Sequence, residues 1–171
     1  MNRAAGAVIG SALGDMIGAP YEFTDRILNI RLIGSSADIL NAPSSMWEHG
    51  EWTDDTSMAV PILQALAHKH GLNSSEALEY ISDQWAPVAK DIGVQTAQVF
   101  RQAKADSRTV GLADKLITAA SVIHEKSGRS AGNGSVMRTA PVAIFRATED
   151  TTEAHRAFLE AADSIAGLTP T

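Results

Sequence analysis

Valine, isoleucine and the aromatic residues do not alternate with polar ones over any strand-length stretch, and the chain reads as mostly helical. The first predicted helix covers residues 2–17. Gly6, Gly10, Gly14 and Gly18 recur there every four residues, on one helix face. Each interior glycine costs about 1 kcal/mol against alanine. Close approach of another backbone to that face is the expected compensation. A second helix is predicted from near Asp54 to His70, stopped by Gly71, with a local kink at Pro61. A third begins at Asn73, which makes a capping-box spacing with Glu76, and ends before Pro87. Further helices are expected over 93–106, 111–126, 135–147 (with Pro141 inside) and 151–166. Residues 24–52 read as a long loop with short turns, a length often tied to function in a compact domain.

Composition narrows the chemistry. The chain has 171 residues, enough for one domain with a real core, expected to span 1–171. It is 44% hydrophobic and 20% charged, as globular proteins are. A net charge of −6 without clustered Lys or Arg argues against nucleic acid as the main partner. Without cysteine there is no disulfide, thiolate metal site or cysteine nucleophile, so a metal would need oxygen or imidazole ligands. The first segment is too broken by glycine, and by Asp15, to be a signal peptide. No run reaches the roughly 18 apolar residues of a membrane span. A cytoplasmic location away from membranes is expected.

Three stretches stand out. In EWTDDTSMAV (51–60), Asp54 and Asp55 are adjacent at a predicted helix start. A cap explains one aspartate; a cation or plain solvation would explain the pair, and Thr53 adds a hydroxyl to a compact set of hard oxygen donors. In GAPYEF (18–23), Glu22 lies between Tyr21 and Phe23. It reads either as a surface residue of a turn or as a carboxylate raised by aromatic surroundings toward acid–base work. In RSAGNGSVMR (129–138), Gly132-Asn133-Gly134 directly precedes a helix. It is either an ordinary glycine-rich loop or an anion site fit for a diphosphate. His68, His70, His124 and His155 fit no metal spacing and read as solvated helix positions.

Taken in order, GAVIGSALGDMIGAPYEF, WTDDTSMAV and AGNGSVMRTAPVAIF resemble the ADP-ribosylglycohydrolase family from about residue 5 to the end of the chain. The resemblance implies an all-α orthogonal helix bundle with two Mg²⁺ ions in a cleft, Mn²⁺ being the alternative metal. It implies Thr53, Asp54 and Asp55 as metal ligands and Glu22, with Asp54 and Asp55, as the catalytic carboxylates. Ser130, Gly132, Asn133 and Gly134 would hold ADP-ribose, and Asp15 would have a structural role. The reaction implied is hydrolysis of the bond between ADP-ribose and a protein side chain or small acceptor; the partner would be an ADP-ribosylated protein or small conjugate. A non-catalytic ADP-ribose-binding or structural relative is the alternative, and another two-metal hydrolase on the same scaffold a third.

The family pattern also has a second acidic motif, Asp-x-Asp, near its C-terminus. Here the aspartates after Asp55 are Asp83, Asp91, Asp106, Asp114, Asp150 and Asp163, and none forms that motif. The chain is therefore expected to correspond to the N-terminal half of such a domain, with weak metal binding when isolated. Association with the other half or with a second chain would complete the site.

Overall fold

The computed structural model describes residues 2–24, 42–69, 74–128, 134–146 and 156. Among them there is helix and turn and no strand. Helix α1 (Asn2–Gly18) runs into a 3₁₀ turn (Ala19–Tyr21). Then come α2 (Asp54–Lys69), α3 (Ser74–Tyr80), one π-helical turn (Ile81–Trp85), α4 (Val94–Ala105), α5 (Leu112–Ser127) and α6 (Gly134–Arg146). The expected helix over 151–166, Arg156 apart, the stop at Gly71 and the start at Asn73 lie outside the described residues. None of the described helices is long and apolar enough to cross a membrane.

The core follows from helical spacing. Met58, Ile62, Ala65 and Leu66 of α2 share one face and are buried against Leu78, Ile81, Trp85, Val99, Phe100, Leu116 and Val142 from the other elements. Fully burying each large apolar side chain stabilises by about 1.5–3 kcal/mol. The Trp85 and Phe100 rings meet at a tilt, centroids 6.3 Å apart. Helices α2 and α6 pack closely although each contains a buried proline. Pro61 has no N–H to give the Ser57 carbonyl, but α2 continues through it. Helix α5 ends where Gly128 turns left-handed at φ +60°, donating its N–H to the His124 carbonyl at 2.9 Å.

Two expectations change. The helix expected from Asn73 to Pro87 switches to π geometry at Ile81. That turn brings the Trp85 indole N–H onto Ser57 Oγ at 2.9 Å, tying it to α2. The glycine face of α1 meets no close backbone either: among the described residues nothing lies within 4 Å of a Cβ built on Gly6, Gly10, Gly14 or Gly18. Val8 and Ala12 turn toward α2 and α6. Gly6, Gly10 and Gly14 are each two residues from one of these, about 200° around the helix. Gly14 and Gly18 instead form part of a cleft wall, where a missing side chain leaves the space open.

Candidate active site

The cleft encloses about 700 Å³. Asp15, Glu22, Thr53 and Asp55 supply its polar lining, and Val136, Met137 and Ala140 of α6 its apolar side. The start of α2, the end of α1 and the first turns of α6 therefore share one space.

The start of α2 settles what caps it. Thr53 is the capping residue, and its hydroxyl accepts the Asp55 N–H at 3.3 Å. The same hydroxyl donates to Asp15 Oδ1 at 2.8 Å. The Asp15 carboxylate also accepts the Thr53 N–H at 3.1 Å and the Thr56 N–H at 3.0 Å. A carboxylate on α1 thus satisfies donors at the N-terminus of α2 and welds the two helices together. Neither Asp54 nor Asp55 is needed as a cap.

Both are half-buried and electrostatically crowded. Burial pushes Asp54 up to about 6, helped by Asp91 and Asp55, and a Gly93 N–H bond opposes the rise. Asp55 is raised by burial and then by Asp15. A cation is present behind the cluster: the Arg138 side chain is fully buried. Its guanidinium donates to the Gly134 carbonyl and lies 3.4 Å from Met58 Sδ. Burial lowers Arg138 to about 10, while Asp54 favours its charged form.

Glu22 is placed by a tight turn. Pro20 opens the 3₁₀ turn, and the Glu22 N–H returns to the Ala19 carbonyl at 3.2 Å. Phe23 then takes φ +54°, a left-handed conformation uncommon for an aromatic residue, and Thr24 Oγ1 donates to the Tyr21 carbonyl at 2.9 Å. This reversal leaves Phe23 78% exposed. The expected aromatic setting of Glu22 therefore does not come from Phe23. It comes from Trp47, buried in the following loop, whose indole favours the ionised carboxylate. Burial outweighs it and, with Asp91, Asp54 and Asp55, raises Glu22.

Of the residues picked out by sequence, the structure gathers Glu22, Thr53, Asp54 and Asp55. Gly134 is the first residue of α6, at the edge of the same region. Ser130, Gly132 and Asn133 lie outside the described residues. Asp91, Arg138 and Trp47 were not picked out. Asp91 sits in the link between the π-turn and α4, with nothing beside it in sequence to mark it. Arg138 closes the quoted RSAGNGSVMR stretch, and nothing in its spacing marks an arginine for burial.

As to metal, the donors are hard oxygens: the Asp54 and Asp55 carboxylates, free of capping, and the Thr53 hydroxyl. That chemistry fits Mg²⁺ in kind. In number it is partial, because no three His, Asp or Glu side chains among the described residues are arranged to hold a metal ion.

Comparison with known proteins gives the family. A family model described as ADP-ribosylglycohydrolase matches residues 1–170. The chain is similar to an ADP-ribosylarginine hydrolase Tri1 of Serratia proteamaculans (strain 568), 28% identical over 164 residues. It is also similar to one of the same name from Pseudomonas putida (strain GB-1), 30% identical over 165 residues. Each match covers 85% of this chain and 37% of the relative, so the chain spans little more than a third of their length. No solved structure matches it. With the family model covering nearly every residue, the chain belongs to the ADP-ribosylglycohydrolase family.

Proposed function

We propose that this chain carries the N-terminal part of the site of a Mg²⁺-dependent hydrolase. That hydrolase cleaves the glycosidic bond between ADP-ribose and a protein side chain or small acceptor and releases ADP-ribose. One observation carries the reading most: Thr53 and Asp15 do all the capping of α2, so Asp54 and Asp55 are held together at a helix start for some other purpose. Thr53, Asp54 and Asp55 would hold Mg²⁺, which when bound would clamp ribose hydroxyls and polarise a water.

The rest of the work falls to the chain's own groups. Cleavage builds oxocarbenium character at C1 of the distal ribose, which carboxylates nearby stabilise. Glu22 borders the cleft, and its raised pKa suits a group that moves a proton between the attacking water and the departing acceptor. The diphosphate would lie at the start of α6, on N–H groups of Gly134 and the preceding Ser130, Gly132 and Asn133. An acidic protein can hold an anion this way without surface lysines.

For the acceptor, the names of the two similar hydrolases favour ADP-ribosylarginine. An acidic cleft suits a guanidinium, and Asp91, near both Glu22 and Asp54, is the carboxylate left over to receive it. A second reading, ADP-ribose binding without turnover, draws on the partial ligand set.

The test is ADP-ribose release from ADP-ribosyl-arginine and ADP-ribosyl-serine peptides, with Mg²⁺ or EDTA. Mg²⁺-dependent release, greater from the arginine peptide and lost in Glu22→Gln, is the expected result. ADP-ribose binding with no release from either peptide would favour the second reading.

A further inference from the structure

Trp47 has no part in the site as the family pattern presents it, yet its surroundings are built to hold it still. Ser44 Oγ accepts the Met46 and Trp47 N–H groups at 3.1 and 3.0 Å, forming the turn that carries the indole. Lys90 Nζ lies 5.1 Å from the centre of the Trp47 ring and pairs with Glu51 at 2.5 Å. Glu51 in turn accepts the Glu48 N–H at 2.8 Å. Gly50, at a φ of +82° that side chains rarely adopt, turns the chain beside Met16 of α1.

The clamped ring is only 6% exposed. Its Nε1–H is buried with no partner among the described residues. Among the described residues, Glu22 Oε2 is buried in the same condition. One is a donor, the other an acceptor, and the indole lies close enough to favour the charged carboxylate. Leaving both unmade carries the cost of burying two polar groups, which a small movement would remove. Hydrogen bonds at catalytic groups are often loose before substrate binds and tighten afterwards.

We propose that Trp47 is the positioning residue for Glu22: its indole N–H closes on Glu22 Oε2 and aims that carboxylate into the cleft, while Lys90 and Glu51 hold the ring in place. The catalytic importance of the contact rests on the glycohydrolase reading; the contact itself does not.

Two measurements on the 171-residue chain separate these. The first is the indole ¹H–¹⁵N spectrum, with the three tryptophan signals assigned through Trp47→Phe, Trp52→Phe and Trp85→Phe. Glu22→Ala is expected to move the Trp47 signal and leave those of Trp52 and Trp85 in place. A Trp47 signal indifferent to Glu22→Ala overturns the proposal whatever the turnover. The second is turnover of the ADP-ribosyl-arginine peptide by Trp47→Phe, which keeps an aromatic ring but removes the indole donor with the pyrrole half of the ring. A fall in kcat of roughly tenfold or more at unchanged KM is expected for a lost bond to a charged group, with Tm lowered only as the smaller buried ring requires. An unchanged kcat in an active chain would also overturn it. A chain that shows the indole response but no turnover would count against the glycohydrolase reading and in favour of the contact.

Discussion

The carboxylates of this protein live in two opposite settings. At the turn between α4 and α5, Asp106 accepts the Arg108 backbone N–H at 2.9 Å and its guanidinium at 2.6–3.0 Å. Lys115 Nζ donates to the Asp106 carbonyl at 2.9 Å. These donors pull Asp106 down to about 2. At the cleft the same residue type is half-buried among its own kind, and Asp54 is pushed up to about 6. The first arrangement is what folding alone would select. The second costs stability, and a chain keeps such a cost where the group serves binding or chemistry.

Substitutions in each setting should have unequal effects. Glu22→Gln should produce the largest effect, a loss of roughly 10²–10⁴ in ADP-ribose release, the usual contribution of a positioned acid or base. Its Tm should not fall, because the variant no longer buries a charge. Normal release by Glu22→Gln would remove Glu22 from the mechanism.

Asp15→Ala comes next. It leaves the Thr53 and Thr56 N–H groups at the head of α2 without their acceptor, at a cost of about 2–4 kcal/mol in urea unfolding. Asp15→Asn, which can still accept, should lose clearly less. Equal losses would mean that the carboxylate matters for its charge rather than for capping.

A third effect is the pH dependence of the Mg²⁺-free chain. Asp54 binds its proton more tightly folded than unfolded, so its contribution falls as pH rises from about 4 to above 6. Asp55 and Glu22, also raised, act in the same direction. Urea unfolding should therefore show these groups favouring pH 5 over pH 7, and Asp54→Asn should flatten the difference. Asp106 works the other way: its contribution is present above the usual carboxylate range and lost only as pH falls toward about 2. Asp106→Asn is the smallest expected change, with ADP-ribose release unaltered. A fall in release there would show that the two settings are coupled.

What could be read from the sequence follows from range. Gly111 and Gly128 bracket α5, and the predicted 111–126 lies within a residue of Leu112–Ser127 because those signals are local. The all-helical class and the α2 start at Asp54 came from equally local features. The Thr-Asp-Asp stretch was ambiguous in isolation because its capping partner, Asp15, lies 38 residues away from Thr53. Asp91, Arg138 and Trp47 gain their meaning only from packing across elements, which spacing does not encode. The glycine face of α1 shows the same limit: its periodicity is plain, but other elements decide whether it meets a backbone or a cleft, and among the described residues it borders a cleft.

The proposed cation at Asp54 and Asp55 can be tested on the folded chain itself. The most direct measurement is Tm against Mg²⁺ in the millimolar range, for the chain and for Asp54→Asn/Asp55→Asn. A ligand at 100 times its Kd stabilises by about 2.7 kcal/mol, a shift of several degrees for a domain of this size. A saturable rise in Tm is expected for the chain. The double variant should start from a higher Tm, relieved of the crowded charge, and gain nothing from Mg²⁺. A chain indifferent to Mg²⁺, or a variant that responds equally, would contradict it.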